Sequence, residues 1–398
     1  MLGLMSFYET VTNIEKKEYI KFLRLMGSLS RLFSNNTSPY LDSRVCENLF
    51  CRCLNAENLA REDCTADAKK GNIGIGIKTW VGNSYQKIAE FNRARPEYAH
   101  LEETQKIIRI SELRNERIEF TLRAHGLKEL IYHAIVREEG KIKIYECPLD
   151  KIEIESIIID SQTDKSIYFH DNKNNYAFNF SKSVLMKKFN DMELKEDINV
   201  EILDNPYDLL ASVLLNDNPS ALATNAYNCA IEYIKPHKNE YPFIFLRLYA
   251  YQNGAINNKY VPSKSGLNQW NAGGRKRDKN EVYIPISSED RRRNPNFFPS
   301  RDTPFKLILP NGKFLSAKVC QDNSKALMSN PNNALGEWIL REVFNLAEGE
   351  LLTYSYLRRI GIDSVKIEKI NESTYKINFA LLGAYEEWMQ NYRIEDYE

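Results

Sequence analysis

The sequence lacks several features that would place a protein in a class at once. It has no uninterrupted apolar run of about 18 residues, the length needed to span a bilayer. Its 54 basic and 54 acidic residues cancel, so any surface that attracts nucleic acid has to be local. The opening residues are too polar for a signal peptide. We therefore expect a cytoplasmic protein that binds no membrane.

Cysteine usage excludes a disulfide framework. The seven cysteines are an odd number and are scattered, which is typical of a reducing compartment. Four of them lie close together in sequence, at Cys46, Cys51, Cys53 and Cys64, but no Cys-x-x-Cys pair is present. Buried free thiols are the better interpretation, and a zinc site is the alternative.

The stretch 65–80, TADAKKGNIGIGIKTW, predicts a polar turn that carries Asp67, followed by a short β-strand. Isoleucines alternate with Gly74, Gly76 and Lys78, so Lys78 lies on the face opposite the isoleucines. Because two glycines precede the lysine, we expect that face to be bare. An acid at a strand edge and a lysine on the next strand form a minimal metal-nuclease pattern. The alternative is a core strand whose lysine reaches solvent.

The rest of the N-terminal half predicts an α/β (α+β) domain. Apolar spacing favours helices over 14–33, 40–60 and 84–92, a short helix over 181–189, and β-rich alternation between 141 and 170. The predicted helices carry Glu47, Glu57 and Glu90. Such glutamates usually form a solvated face, but a metal nuclease could take a ligand from the helix before its first catalytic strand.

The C-terminal half predicts a second domain of a different kind, rich in β-structure. Five short apolar segments, FIFLRLYA, EVYIPI, FKLILP, FLSAKV and VKIEKI, are separated by turn residues and accompanied by two short helices, over 333–344 and 354–360. Many short strands with few helices favour a small barrel. We divide the chain into a nuclease domain, 1–205, a helical linker, 206–240, and a barrel, 241–398, which we expect to fold alone.

A basic loop precedes the middle of this barrel. Between Ser265 and Arg301 there are eight basic residues and four acidic ones, interleaved with amide side chains and Trp270. Arginine and amide side chains read base edges, and lysine and arginine hold phosphates. The pattern favours contact with double-stranded DNA over an ordinary flexible loop.

Three segments follow one another here: SGLNQWNAGGRKRDKNEVYIPI, FKLILPNGKFLSAKVCQDNSKALMSNPNNALGEWILRE and LTYSYLRRIGIDSVKIEKI. In this order they resemble the DNA-binding pseudobarrel of certain type II restriction endonucleases, a domain related to the plant-type (B3-like) pseudobarrel. The resemblance implies two arms that grip the major groove. The implied DNA-binding residues are Trp270, Asn271, Arg275, Arg277 and Asn280 in the first arm, Lys318, Gln321, Asn323, Ser324, Lys325 and Asn330 in the second, and Arg291, Arg292 and Arg293 near phosphates.

Restriction enzymes with this module carry different nucleases. The phospholipase D type needs His-x-Lys, and none of the five histidines is followed two residues later by lysine, so this chemistry is excluded. The order helix, Asp67, strand, Lys78, helix is similar to the Mg²⁺-dependent PD-(D/E)XK type. The sequence departs from that type at Gly76, where an acidic residue is expected two positions before the lysine.

A metal ligand therefore has to come from elsewhere. We expect Asp67, Lys78, Glu47 and Glu90 to be catalytic, with Asp67 and Glu47 as the Mg²⁺ ligands. Asp63 and Glu57 are the reserve candidates for this ligand. Because cutting two strands needs two active sites or two passes, we expect a homodimer.

The sequence thus favours a restriction endonuclease that hydrolyses double-stranded DNA. The missing acid keeps open a DNA-binding protein without catalysis, whose N-terminal half only dimerises. A pseudobarrel that binds RNA or a small molecule is the third reading.

Overall fold

The computed structural model describes residues 6–59, 65–214, 241–252 and 258–395. Its N-terminal half combines helices with two β-sheets. The helices are α1 Phe7–Thr10, α2 Asn13–Ser28, α3 Ser43–Cys53, α4 Glu103–His125 and α5 Pro206–Leu214. The strands are β1 Glu57–Asn58, β2 Ala68–Lys70, β3 Ile73–Val81, β4 Gln86–Glu90, β5 Glu129–Glu138, β6 Lys141–Pro148, β7 Ile158–Gln162, β8 Ser166–His170, β9 Asn175–Asn179, β10 Val184–Lys188 and β11 Glu193–Asn199.

The first sheet has the order β1-β2-β3-β5-β6-β11. Its neighbours run antiparallel except β3 and β5, which are parallel, with Ile73 opposite Glu129 and Val81 opposite Arg137. A parallel pair needs a long crossover, and this one contains strand β4 and the 23-residue helix α4. Helices α2 and α3 pack on the isoleucine face of β3, in a core that contains Ile75 and Ile77.

Local capping explains where these helices begin. Thr12 and Glu15 form a reciprocal capping box at the start of α2, and the side chain of Asp42 accepts a hydrogen bond from the backbone N–H of Arg44 at the start of α3. Helix α3 ends at Cys53, so Glu57 lies in strand β1 rather than in the predicted helix. Cys46, Cys51 and Cys53 are buried free thiols, as expected.

The second sheet has the order β4-β10-β9-β8-β7 and is antiparallel throughout. The predicted helices over 84–92 and 181–189 are wrong, because both segments are strands that pair with each other, Val184 opposite Glu90. Each apolar run is too short for its periodicity to separate helix from strand, and the partner strand decides the outcome.

The C-terminal half consists of short strands and short helices, as expected. Its strands are β12 Phe243–Arg247, β13 Ala250–Tyr251, β14 Lys259–Tyr260, β15 Ile284–Pro285, β16 Phe305–Ile308, β17 Phe314–Cys320, β18 Ala326–Ser329, β19 Ile362–Asn371 and β20 Thr374–Leu381. Its helices are α6 Ser288–Arg293, α7 Ala334–Gly336, which continues as a π-helix over Glu337–Val343, α8 Tyr354–Ile360 and α9 Ala384–Glu395.

Seven of these strands form one strongly curved sheet, β12-β19-β20-β16-β17-β18-β15. Strand β12 also lies against β15 at the other end, so the sheet nearly closes into a barrel. The five predicted strands are present, and sequence reasoning missed β18 and β20. The interior is filled by apolar residues of the strands and of the π-helix, including Trp338 and Ile339.

Helix α4 takes part in this second core as well. Phe120 and Ala124 are buried among barrel residues, and the ring of Phe120 lies 5.2 Å from that of Phe379 and 6.4 Å from that of Phe344. The C-terminal half therefore does not supply its whole core, which argues against its folding alone. Of the predicted helical linker, 206–240, the structure describes only helix α5, because 215–240 lie outside the described residues.

Ion pairs add to this contact between the two halves. Nη2 of Arg359 lies 2.7 Å from Oε1 of Glu116 on α4, and Nη2 of Arg358 lies 2.6 Å from Oε1 of Glu97. Nε of Arg123 donates to the carbonyl of Val343 at 2.8 Å. The C-terminal half is thus attached to the helix that lies in the crossover between β3 and β5.

Truncating Phe120 tests this shared core. Phe120→Ala should destabilise the protein by about 3 kcal/mol or more, because a buried phenylalanine leaves a cavity. Urea unfolding followed by the fluorescence of the barrel tryptophans measures the effect. Phe33→Ala, the same change at a side chain that is 63% exposed, should shift the midpoint little. Equal stability of the two variants would contradict the shared core.

Candidate active site and nucleic-acid interface

Three predicted catalytic residues meet at the edge of strand β3. Strand β2 pairs with only the first residues of β3, 73–75, and does not extend along the later ones. Asp67 stands just before β2, Lys78 lies beyond the paired part of β3, and Glu47 is on helix α3, which packs against that strand. The sequence therefore places two carboxylates and one ammonium in one corner of the sheet.

Hydrogen bonds fix the carboxylate of Asp67. Its Oδ2 accepts the backbone N–H of Ile77 at 2.7 Å and lies 3.3 Å from Nζ of Lys78. Nζ of Lys78 also donates to the carbonyl of Ile77 at 3.1 Å. Both side chains remain about one-quarter exposed, at 23% for Asp67 and 27% for Lys78. The pair is held in place and still reaches solvent.

Glu47 completes the group electrostatically. Its side chain is 12% exposed and forms an ion pair with Arg44 at 2.9 Å. Burial raises the pKa of Glu47 above its ordinary value, the negative charge of Asp67 raises it further, and Arg44 and Lys78 oppose the shift. Two neighbouring carboxylates that repel each other are a donor set that a divalent cation would stabilise.

The donor set is small. Among the described residues no group of three or more His, Cys, Asp and Glu side chains could hold a metal ion. Mg²⁺ commonly uses one or two protein carboxylates and completes its octahedron with water and substrate phosphate. Asp67 and Glu47 fit that requirement.

The expectation of a bare glycine face next to Lys78 is wrong. A Cβ at Gly74 would collide with the side chain of Leu130 and lie 2.7 Å from Cδ1 of Leu127. A Cβ at Gly76 would lie 3.2 Å from Cδ1 of Tyr132. The glycines therefore make room for side chains from β5 and the turn before it, so the strand is glycine-rich for packing.

The other acidic candidates lie elsewhere. Glu90 is on β4 in the second sheet, where its carboxylate forms an ion pair with Lys87 at 2.6 Å. Glu57 forms ion pairs with Lys69 at 3.1 Å and Lys376 at 3.5 Å. None of the described contacts joins Glu90 or Glu57 to Asp67. Asp63 lies outside the described residues.

In the C-terminal half, the first predicted arm is built around a buried acid. Glu281 is 2% exposed at its side chain and accepts hydrogen bonds from Arg275 and, at 3.0 Å, from Nδ2 of Asn332. The side chain of Arg275 is 55% exposed. Sequence reasoning missed Glu281. A single acid at the end of a run of basic residues is the signal that could have found it.

The remaining residues of this arm have mixed surroundings. Nη1 of Arg277 donates to the carbonyls of Ala272 and Gly273, and Oδ1 of Asn280 accepts a hydrogen bond from Arg341. Asn271 is exposed and donates to the carbonyl of Ser263. Trp270 is only 7% exposed and belongs to the barrel core, so its position does not fit the predicted contact with DNA.

The arginine run lies on helix α6. Arg291 donates to the carbonyl of Ile286, and Nη2 of Arg293 forms an ion pair with Glu289 at 2.9 Å. Arg292 between them is exposed. Two of the three predicted phosphate contacts are thus tied to the protein, and Arg292 faces solvent.

The second predicted arm is the turn between β17 and β18. Nζ of Lys318 lies 2.9 Å from Oδ1 of Asp302. Asn323, Lys325 and Asn330 are exposed, and Gln321 and Ser324 are partly exposed. Gln321, Asn323 and Ser324 have positive φ values of 64°, 58° and 54°. The turn presents polar side chains from an unusual backbone conformation.

Comparison with known proteins identifies this part of the chain. Residues 246–371 match the family model of the NgoFVII C-terminal B3-like DNA-binding domain. This is a DNA-binding domain of restriction enzymes. The match covers β12 to β19, including both predicted arms, and stops short of the N-terminal half. No curated protein matches the chain.

In the part of the chain that the structure describes, no helix is both long and apolar enough to cross a bilayer.

The raised pKa of Glu47 predicts a cost in stability. A carboxyl whose pKa is higher in the folded state destabilises the fold when ionised, and this cost is absent at pH values below its unfolded pKa. Without divalent cations, Glu47→Gln should therefore raise the Tm at neutral pH, and the gain should shrink as the pH falls into the carboxyl range.

Thermal melts in EDTA across pH 4–8 measure this difference. Glu90→Gln is the matched control, because its carboxylate is 50% exposed and paired with Lys87, and it should change the Tm little at any of these pH values. A lower Tm for Glu47→Gln at neutral pH would contradict the electrostatic description.

Proposed function

We propose that this chain is a type II restriction endonuclease that hydrolyses double-stranded DNA at a short sequence. The match of the barrel to a restriction-enzyme DNA-binding domain supports DNA as the partner. The meeting of Glu47, Asp67 and Lys78 at one edge of β3 carries the proposal of hydrolysis. The order α3, Asp67, β3 with Lys78 agrees with the first part of the nuclease pattern expected from the sequence, whereas the helix expected next, over 84–92, is strand β4.

In this proposal each residue of the candidate active site has its own catalytic role. Asp67 and Glu47 would hold Mg²⁺, which in such sites polarises a phosphate oxygen and lowers the pKa of water. The backbone N–H of Ile77 keeps the carboxylate of Asp67 aimed in one direction. The ammonium of Lys78 would orient the attacking water and offset charge that develops on the phosphate. In this proposal Glu47 replaces the acid absent at Gly76.

For recognition, Arg275 is the strongest candidate. The buried carboxylate of Glu281 holds Nη2 of its guanidinium, Nη1 donates to the carbonyl of Lys276 at 3.2 Å, and the side chain is still 55% exposed. Arginine reads guanine through two parallel hydrogen bonds, and a side chain held in advance loses less entropy on binding. The exposed Arg292 would contact a phosphate.

Incubating the pure protein with plasmid DNA and Mg²⁺ tests the function. We expect discrete fragments, whose ends give the sequence that is cut, and no cleavage in EDTA. Specific binding without cleavage would instead support the non-catalytic DNA-binding protein. Sedimentation of the protein with and without DNA tests the proposed homodimer, which supplies the second active site.

Changes at the acid–lysine pair should separate catalysis from binding. Asp67→Asn and Lys78→Ala should each lower the cleavage rate by at least about a hundredfold, because each removes a group that acts on the transition state. Binding of the cognate duplex in EDTA should remain near that of the wild type. Glu90→Gln should cut normally. Wild-type cleavage by either site variant would contradict the assignment.

Changes at the first arm should affect sequence preference. Arg275→Ala should weaken the binding free energy by about 1–3 kcal/mol for the cognate duplex and by much less for a scrambled one. Glu281→Gln, which keeps Arg275 but removes the charge that holds it, should lose part of the same preference.

Arg292→Ala is the matched control. It should weaken binding to both duplexes alike, and it should reduce the slope of log K against log salt concentration by about one unit. Fluorescence anisotropy measures all three variants. Equal losses on cognate and scrambled DNA for Arg275→Ala would argue against base reading.

A further inference from the structure

A cavity of about 410 Å³ opens at one end of the barrel, between helix α6 and the turn 321–325. Its floor is apolar, formed by Ile244, Ile286 and Val319, which are each less than 5% exposed. Its volume lies in the range of roughly 300–1,000 Å³ that is typical of sites for small organic molecules. Apart from Ile244, the lining residues lie within the region that matches the DNA-binding family.

Aromatic rings form one wall and are held firmly. The ring of Phe298 stacks on Phe305 with centroids 5.8 Å apart, and the carbonyl of Phe297 accepts a hydrogen bond from the hydroxyl of Tyr375 at 2.8 Å. The wall therefore exists before any ligand binds. A flat apolar ring system could lie against it without rearrangement of the barrel.

The rim is polar. Asn296 and Asn323 are exposed amides at the mouth, each with donors and an acceptor suited to the polar edge of a base. Arg291 and Arg301 also line the cavity, but Arg291 donates to the carbonyl of Ile286 and Nε of Arg301 lies 3.2 Å from Oδ2 of Asp302, so we assign neither guanidinium to the ligand. An apolar floor, an aromatic wall and an amide-lined mouth are together the chemistry that holds a nucleobase.

The backbone around the mouth is unusual. Among the described residues eight non-glycine residues have positive φ, and five of them flank this cavity: Asn296, Asp302, Gln321, Asn323 and Ser324. Asparagine and aspartate tolerate this conformation, but glutamine and serine seldom adopt it. Such conformations concentrate at ligand-binding sites.

We propose that this cavity receives one nucleobase swung out of the DNA duplex when the barrel binds its sequence. The inference rests on the proposed DNA binding and adds to it a pocket that reads a single unpaired base. The floor and the wall would hold the faces of the base, and the asparagines of the rim would bond its edge.

The test uses the full-length protein in EDTA and the cognate duplex defined by its cleavage or binding. Each purine in turn is replaced by 2-aminopurine, and each cytosine by pyrrolo-cytosine, whose fluorescence rises when the base leaves the stack. We expect a several-fold rise at one position of the site and little change elsewhere. A mismatch at that position should tighten binding about tenfold, because the duplex no longer resists opening there.

Two tryptophan substitutions provide a matched pair. Ser300 lines the cavity, and Ser300→Trp should block it and abolish both the fluorescence rise and the preference for the mismatch. Thr303, the hydrogen-bond partner of Ser300, is exposed and does not line the cavity, so Thr303→Trp should leave both signals unchanged. Equal Tm values for the two variants would show that both fold.

The outcomes separate the two proposals. Specific binding without a fluorescence rise at any position, and without a mismatch that tightens binding, would overturn the pocket and leave the proposed function standing. Signals that persist in Ser300→Trp would overturn the assignment of the base to this cavity. Binding without sequence preference would remove the proposed function itself.

Discussion

The parallel pairing of β3 with β5 is the constraint on which the rest of the molecule depends. Antiparallel neighbours can be joined by a tight turn, but this pair requires the chain to return along the whole length of the sheet. Helix α4 is the longest element of that return. One face of the helix belongs to the N-terminal unit, with Ile107 and Ile110 buried there, while Phe120 and Ala124 enter the barrel. A connection required by sheet topology thus also joins the two halves.

The same topology shapes the candidate active site. Strand β3 is held on one side by β5 along its whole length, whereas β2 covers only its beginning. The uncovered part of the β3 edge is where Asp67 takes the N–H of Ile77 and where Lys78 reaches back to the acid. Continuous pairing on one side holds these side chains in place, and both remain about one-quarter exposed.

Sequence reasoning found the residues with strong local signals and missed those defined by partners far along the chain. Strand β3, helix α8 and the proximity of Glu47 to Asp67 followed from periodicity and from the missing acid at Gly76. The segments around Glu90 and Val184 were assigned to helices because their strand partners lie about a hundred residues apart in sequence, which no local pattern reveals. The role of Glu281 and the burial of Trp270 likewise depend on tertiary packing. The burial of the glycine face by Leu130 was also unpredictable, because a glycine pattern does not show what fills the space.

Because α4 contributes to both cores, the C-terminal barrel cannot easily be transferred alone between proteins. A recognition domain with a complete core of its own can be moved between proteins at a linker, and its new host need only provide the sequence that enters it. Here a cut in the linker would separate the barrel from Phe120 and from the carboxylates of Glu116 and Glu97 that bind Arg359 and Arg358. Recombination of this barrel with another N-terminal half would therefore have to carry the matching helix surface with it. The two halves would then be inherited as a matched pair rather than as separate parts.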